Sequence, residues 1–236
     1  MSKSIAAAID FDTNSGTYNG GYIKFIGVKD GTTNAPPQAS DYDSGNGDSG
    51  YFIIDGQGNA ITGIQAGTTI DYIWLENFKI HSCDGTAGAA ATAACDKWIF
   101  NNVWFHDNDG YGLDGGKFRY AVYHRCRFTS NGTDGLYYPV VYSQIANCEF
   151  IGNGDYGLEL GGHIGVAANC IFHGNTTGAV YGYGSILLIN CVLDANGDGV
   201  SCIVGNISMI GCRVTNHNGV GKYGIKNNSN VRVKLL

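Results

Sequence analysis

A repeat of 21 or 22 residues constrains the fold of this chain more than any other feature of its sequence. Cysteines return at intervals of 22, 22, 21 and 21 residues, and a large apolar residue follows each cysteine two positions later. These pairs are Cys126 and Phe128, Cys148 and Phe150, Cys170 and Phe172, Cys191 and Leu193, and Cys212 and Val214. A short period built from β-type segments is typical of a solenoid, in which each repeat packs only against its neighbours.

Two further residue types recur at fixed positions of the same repeat. An asparagine stands five residues after the cysteine, at Asn131, Asn153, Asn175 and Asn196. A glycine followed by an apolar residue comes next, at Gly135-Leu136, Gly157-Leu158, Gly178-Ala179, Gly199-Val200 and Gly224-Ile225. Residues two apart on a strand share a face, so the cysteine and the large apolar residue are predicted inside the solenoid. The asparagine is predicted at a turn, with left-handed backbone and hydrogen bonds along the stack.

Two solenoid folds have a period near this length. The leucine-rich repeat requires leucines at fixed offsets and a helix, but those leucines are missing and glycine interrupts each candidate helix. The stretches "SQIANCEFIGNGDYGLEL" and "SILLINCVLDANGDGVSCI" instead resemble coils of the pectate-lyase-like superfamily. The resemblance implies an all-β fold: a right-handed parallel β-helix solenoid with roughly eight coils over residues 51–236.

Residues 1–50 do not show the repeat and are predicted as a separate N-terminal segment. The stretch "TYNGGYIKFIGVKD" is typical of a strand, and "GTTNAPPQASDYDSGNGDSG" is typical of a flexible loop. Because an open sheet edge must be covered, the segment is either a cap on the first coil or an arm that docks onto a neighbour such as a capsid or tail protein. The alanine-rich stretch between Cys83 and Cys95 is predicted as an inserted loop.

Composition and charge disfavour several functions. The net charge of −6 and the isoelectric point near 5.3 disfavour nucleic acid binding, which usually needs a basic surface. No apolar run approaches the roughly 18 residues of a membrane span. The N-terminus lacks the long apolar stretch of a signal peptide, so synthesis and folding in the cytoplasm are expected. The eight cysteines are then expected as thiols, with a Cys83–Cys95 disulfide as the less favoured alternative.

Candidate catalytic residues are few. Many β-helix proteins cleave polysaccharides, but the N-T-D and D-D motifs of polygalacturonase-like hydrolases are missing here. On the strand after the repeat glycine, one residue in each coil is predicted to point outward, and together these residues form an outward column. They are Asp114, Tyr137, Glu159, Val180, Ser201 and Lys226. Asp114 and Glu159 would stand two coils apart, about 10 Å, at the outer limit for an inverting pair of carboxylates. Arg127 is a weaker candidate, as the base of a lyase. No complete catalytic motif results, and the chain is interpreted as a non-enzyme without a cofactor.

No metal site is predicted. Asp109, Asp134, Asp155 and Asp198 lie beside the repeat glycines, where an aspartate is more typical of turn chemistry than of a calcium site. No cysteine or histidine cluster has the spacing of metal ligands.

Four tyrosines form a candidate platform for the rings of a glycan: Tyr137, Tyr138, Tyr181 and Tyr183. An aromatic side chain offers an apolar face together with a polar hydroxyl, which suits a sugar. Tyrosine is also a common strand residue, so the pattern alone does not decide between the two interpretations.

The strand before the cysteine becomes continuously apolar toward the C-terminus, as in "SILLI" and "NISMI". Continuous apolar runs in parallel strands indicate burial on both faces, and an outward apolar stripe indicates an association surface. The predicted interface residues are Val166, Ala168, Leu187, Ile189 and Ile210. Trimeric β-helices that pack along their long axes occur in phage tailspikes and virion decoration proteins, which this chain resembles.

The resemblance therefore implies a non-enzymatic structural component, a decoration or spike protein of a phage-like virion, and a homotrimer. Two alternatives remain open. One is a polysaccharide-active enzyme, either a lyase or a glycoside hydrolase. The other is a carbohydrate-binding adhesin.

Overall fold

The computed structural model describes residues 2–4, 9–11, 21–27, 51–139, 142–161, 165–217, 223–227 and 233–235. Within them the chain forms an all-β, right-handed parallel solenoid, as predicted. Each coil contributes one strand to each of three sheets, and every strand pairs in parallel with the strand one coil away. The described residues from 51 onward form eight successive coils. Three short N-terminal strands add a further turn before them.

The first sheet contains the strands that follow the cysteines. Its strands are β1 (Ser2–Ser4), β4 (Phe52–Asn59), β7 (Phe78–Cys83), β11 (Trp104–His106), β15 (Arg127–Thr129), β18 (Glu149–Ile151), β21 (Ile171–His173), β24 (Val192–Asp194) and β27 (Arg213–Thr215). From β7 to β24, one inward residue of each strand points into the solenoid, and these residues stack in register, as in Phe128↔Phe150.

The second sheet contains the strands that follow the repeat glycine. Its strands are β2 (Ile9–Asp10), β5 (Ile64–Ala66), β8 (Ala87–Ala91), β12 (Tyr111–Asp114), β16 (Leu136–Tyr137), β19 (Tyr156–Leu160), β22 (Gly178–Gly182), β25 (Asp198–Cys202) and β28 (Ile225–Asn227). This sheet carries the candidate functional residues described below.

The third sheet contains the strands that precede the cysteines. Its strands are β3 (Ile23–Ile26), β6 (Ile73–Glu76), β10 (Ile99–Asn101), β14 (Val122–His124), β17 (Gln144–Ala146), β20 (Gly165–Ala168), β23 (Ile186–Ile189), β26 (Ile207–Ile210) and β29 (Val233–Leu235). Two additional strands, β9 (Cys95–Asp96) and β13 (Phe118–Arg119), pair with each other where the coils are longer.

The interior is filled by the predicted columns. Phe105, Phe128, Phe150 and Phe172 stack with ring centroids 5.1, 4.9 and 4.7 Å apart and planes within 8°. All eight cysteines are free thiols, including Cys83 and Cys95, and seven are buried. Burial raises the pKa of Cys83 to about 11, so this thiol stays protonated at neutral pH. The buried cysteines therefore act as small apolar side chains.

The asparagines form a buried ladder along the solenoid. The Nδ2 group of Asn131 donates to Oδ1 of Asn153 at 2.9 Å, and that of Asn153 donates to Asn175 at 2.8 Å. Asn153 also donates to the main-chain oxygen of Phe128 at 3.0 Å. Each ladder residue thus satisfies polar groups on neighbouring coils, and the ladder makes the corner between the first and second sheets.

Left-handed backbone was predicted at these ladder asparagines, and that detail is wrong. Positive φ occurs instead one residue earlier, at Ser130, Gly152 and Ala195, and again just before the cysteine, as at Asn147 and Asn190. Each of these coils therefore turns two corners with a left-handed residue. The ladder side chains are then free to point inward.

The alanine-rich stretch after Cys83 is also not the inserted loop that was expected. Residues Ala87–Ala91 form β8 of the second sheet, and Ala87 and Ala89 are fully buried. Alanine is small enough to fit there against the neighbouring coil, so the stretch continues the solenoid.

Strands from residues 1–50 extend the same three sheets. Ser2↔Ile53, Ile9↔Ile64 and Ile23↔Ile73 are in-register parallel pairs with the first repeating coil. These strands cover the edges of β4, β5 and β6. Docking of this segment onto a neighbour stays a prediction, and the expected loop at residues 31–50 lies outside the described residues.

Candidate functional site

The outward side of the second sheet carries a column of polar and aromatic residues. Asp114 pairs with Tyr137, Tyr137 with Glu159, and Glu159 with Tyr181. Tyr181 in turn pairs with Ser201, which pairs with Lys226. The predicted column placed Val180 where Tyr181 stands, and this was wrong: Val180 is fully buried and pairs with Leu158.

Six tyrosines form a continuous group of rings on this side, which we call the tyrosine face: Tyr111, Tyr137, Tyr138, Tyr156, Tyr181 and Tyr183. Tyr111 stacks on Tyr137 with ring centroids 4.1 Å apart, and Tyr156 stacks on Tyr181 at 4.8 Å. Tyr137, Tyr138 and Tyr183 follow one another at 5.5 and 6.4 Å. Tyr183 then meets Tyr181 edge-on at 5.2 Å, which closes the connection between the two stacked pairs.

The backbone helps to place Tyr138 in this group. Its φ angle is 52°, so the chain turns sharply at the end of β16. A Cβ atom at Gly161 would lie 2.9 Å from Cε1 of Tyr138, so only glycine leaves room for the ring at that position. The four tyrosines predicted as a platform are therefore neighbours in the structure.

Glu159 lies between the two halves of the tyrosine face. It is half-buried and has Tyr137 and Tyr181 as its neighbours one coil away on either side. Burial, with a smaller contribution from the charge of Asp155, raises the pKa of the Glu159 carboxyl above its ordinary value. Burial is also the main cause that raises the pKa of Tyr111 to about 12, and nearby tyrosines and carboxylates add to this shift. The face is electronegative.

Asp134 lies beside Tyr156 and adds a second buried carboxyl. It is 2% exposed, and its Oδ1 accepts a hydrogen bond of 2.8 Å from the main-chain N–H of Tyr156. Burial raises the pKa of Asp134 to about 7; the Tyr156 hydrogen bond opposes this shift, and the charges of Glu159 and Asp155 add to it. Among the described residues, the Asp134 carboxyl accepts no hydrogen bond other than the one from Tyr156.

The structure does not assemble the candidate catalytic residues. Arg127 lies on the first sheet, where its Nε donates to Glu149 at 3.0 Å and its guanidinium stacks on Trp104 at 4.7 Å. Asp114 and Glu159 are on the second sheet, two coils apart as predicted, with Tyr137 between them. An arginine and a carboxylate that face different sides of the solenoid cannot act on one bond.

The residues predicted as an interface lie on the outward side of the third sheet. Val166 pairs with Leu187, and Ala168 pairs with Ile189, which pairs with Ile210. Ile210 is 37% exposed and the other four are half-buried. Gln144, Ala146 and Ser208 occupy the equivalent outward positions on the neighbouring strands β17 and β26. Together with the five predicted interface residues they make eight outward positions, and none of the eight carries a charge. We call these eight residues the apolar face.

Two features are absent from the described part of the chain. There, no group of three or more histidine, cysteine, aspartate or glutamate side chains is placed to hold a metal ion. In the same residues, no helix is long and apolar enough to span a bilayer.

Comparison with known proteins agrees with this architecture. A family model described as a right handed beta helix region matches residues 44–165, which is just over half of the 236 residues. The chain belongs to this family. The β-helix continues beyond the matched region, because β20 to β29 repeat the same pairing. Searches of curated proteins and of solved structures returned no significant match.

Sequence reasoning missed three members of the site: Tyr111, Tyr156 and Asp134. A signal for two of them was present, because Tyr111 and Tyr156 each stand directly before a repeat glycine. Asp134 was assigned to turn chemistry, which its hydrogen bond to Tyr156 supports, but its burial could not be read from the sequence.

Proposed function

We propose that this protein is a non-enzymatic β-helix that binds polysaccharide on its tyrosine face. The observation that carries the proposal is the continuous group of six tyrosine rings around Glu159. Aromatic rings pack against the apolar C–H faces of sugars, while tyrosine hydroxyls and carboxylates supply hydrogen bonds at the edges. The rings belong to four successive coils, so the surface extends about 14 Å along the solenoid.

Removal of one central ring tests this proposal. We expect Tyr181→Ala to weaken binding of soluble oligosaccharides at least about tenfold, because it deletes a ring that contacts both Tyr156 and Tyr183. The measurement is isothermal titration calorimetry against a panel of neutral, acidic and amino-sugar oligomers. Tyr120→Ala is the matched control, since Tyr120 is 45% exposed and stacks on Tyr142 away from the tyrosine face.

Two outcomes would overturn the proposal. If wild-type protein bound no member of the panel, the tyrosine face would not be a glycan site. If wild-type protein released reducing or unsaturated ends from a polysaccharide, and this activity vanished in Asp114→Asn or Glu159→Gln, the protein would be a hydrolase or lyase.

A second candidate function rests on the apolar face. Its eight uncharged outward positions form a flat surface that suits a second copy of the chain, and we propose that three copies associate through it. Such an assembly fits a rigid structural component, and resemblance to tailspike and decoration proteins favours a spike or decoration protein of a phage-like particle, made in the cytoplasm. The N-terminal strands would then lie at the end available to a capsid or tail protein.

The two candidate functions are compatible. The tyrosine face is on the second sheet and the apolar face is on the third sheet. Association through one leaves the other free to contact a glycan, as an adhesive spike requires.

A further inference from the structure

The charges around the tyrosine face restrict its ligand. Three carboxyls approach the rings from the second sheet and the turns that lead into it: Asp114, Asp134 and Glu159. The charges of Asp155 and Asp198 add to the effect of burial in raising the pKa of Tyr156. The cation of the outward column, Lys226, is 3.9 Å from Asp198 and is therefore partly neutralised. A chain of uronic acids placed on this surface would meet like charges.

The central carboxyl lies where a cation would be held. Glu159 has a tyrosine one coil away on each side, and Tyr156 lies three residues earlier on its own strand. The faces of tyrosine rings attract a cation, and a carboxylate adds a charge-assisted hydrogen bond if the cation has an N–H to donate. Among the described residues, none forms a hydrogen bond or an ion pair with the Glu159 carboxyl, so its oxygens are available to a ligand.

Asp134 is a second carboxyl beside the rings. Only 2% of its surface is exposed. Among the described residues, its carboxyl accepts one hydrogen bond, from the main-chain N–H of Tyr156. The charge of Glu159 adds to the effect of burial in raising the pKa of Asp134, so the two carboxyls lie close enough to interact.

We infer that the ligand of the tyrosine face is a polysaccharide of amino sugars with free ammonium groups, and that Glu159 binds the ammonium group. This inference rests on the proposed glycan-binding function. A primary ammonium group donates hydrogen bonds to Glu159, whereas a quaternary ammonium group has no N–H and would leave the carboxylate without a partner. The sugar rings pack on the tyrosines, and Asp114 extends the negative field along the strand column.

The test compares three oligomers of equal length by calorimetry with wild-type protein at low ionic strength and about pH 6. They are a glucosamine oligomer, its N-acetylated form and an oligogalacturonate. We expect the glucosamine oligomer to bind about tenfold tighter than the N-acetylated oligomer, and this preference to shrink as salt is added. The oligogalacturonate should bind more weakly than either.

Substitution locates the effect. Glu159→Gln should remove the preference for free amines while N-acetylated oligomers bind as before, because the ring platform is intact. Asp107→Asn is the control: it removes one charge from an exposed residue after a first-sheet strand and should keep the preference. Circular dichroism checks that both variants fold.

The outcomes separate this inference from the proposed function. Equal or stronger binding of neutral or acidic oligomers by wild-type protein would overturn the amino-sugar inference and leave glycan binding in place. Absence of binding to all three would overturn both. A preference that persists in Glu159→Gln would show that another group binds the ammonium.

Discussion

At the scale of single residues, Asp134 links the stability of the fold to pH. Its carboxyl is almost completely buried beside Tyr156, and this burial raises its pKa to about 7. Between the ordinary pKa of an aspartate and this value, the folded state binds more protons than the unfolded state. The contribution of Asp134 to the free energy of unfolding therefore falls as the pH rises through this window. The raised pKa of Glu159 acts in the same direction.

Asp134→Asn should remove most of this pH dependence. Asparagine keeps an oxygen that accepts from Tyr156 N–H but has no charge to bury. Relative to Asp134→Asn, we expect wild-type stability to fall between about pH 4 and 7, with a slope of up to about 1.4 kcal/mol per pH unit for one proton. Urea denaturation at a series of pH values measures the slope. Asp84→Asn, a change at an exposed aspartate that has no ion pair among the described residues, should retain it. An unchanged slope in Asp134→Asn would contradict the assignment.

At the scale of elements, the coils are joined by columns that run across the strands. The stacked phenylalanines bury apolar surface between coils, and the asparagine ladder satisfies polar groups at the corner between the first and second sheets. Because each column spans many coils, a defect in one coil removes contacts from two neighbours.

Asn153→Ala tests the contribution of the ladder. The substitution removes the bonds from Asn153 to Asn175 and to the main-chain oxygen of Phe128. It also removes the Oδ1 acceptor that serves both the main-chain N–H and the Nδ2 group of Asn131. Buried polar groups without partners are expensive, so we expect a loss of about 2 to 4 kcal/mol, measured by urea denaturation. Asn206→Ala changes an exposed asparagine and should cost less than about 0.5 kcal/mol. Similar losses for both variants would exclude a stabilising ladder.

At the scale of the whole molecule, the solenoid presents different surfaces on different sides. The second sheet carries tyrosines and carboxylates, the first sheet carries ion pairs such as Arg127–Glu149, and the third sheet carries the uncharged apolar face. A rigid solenoid keeps these surfaces in fixed relation along its length. This separation allows self-association and ligand binding to be tested independently.

Leu187→Asp tests association through the apolar face. A carboxylate in the centre of this face would have to be buried between copies, so we expect the mass measured by light scattering to fall from that of a trimer to that of a monomer. Ile171→Asp is the matched control, because Ile171 is also an outward apolar residue but lies on the first sheet. A wild-type monomer, or a trimer that survives Leu187→Asp, would reject this interface.

Much of the fold could be predicted because its cause is local. The alternation of a strand places Cys148 and Phe150 on one side, and the repeat places the same pair in each neighbouring coil. The hydrogen-bonded asparagine ladder was predicted from the same spacing, although its inward orientation was not. The positions of left-handed backbone were not correctly predicted, because asparagine, glycine, serine and alanine all occupy them in different coils.

The candidate site was predicted in part. Four tyrosines were predicted as a platform and Tyr137 was predicted in the outward column, but an alignment on the glycine placed Val180 beside Glu159. In the structure Gly178 pairs with Tyr156 rather than with Gly157, so the register differs by one residue and Tyr181 takes the outward place. A shift of one residue exchanges the two sides of a strand, and only the pairing between coils decides it.

The sequence by itself determined the coil, its interior and the class of fold, since these depend on a periodic pattern that survives small shifts. The tertiary structure alone decided which outward side chains meet. Tyr111, Tyr156 and Asp134 lie within the electrostatic influence of Glu159 because successive coils stack in one register. The burial that raises the pKa of Asp134 exists only in that stack. Contacts across coils depend on the exact number of residues at each corner, which the repeat leaves variable.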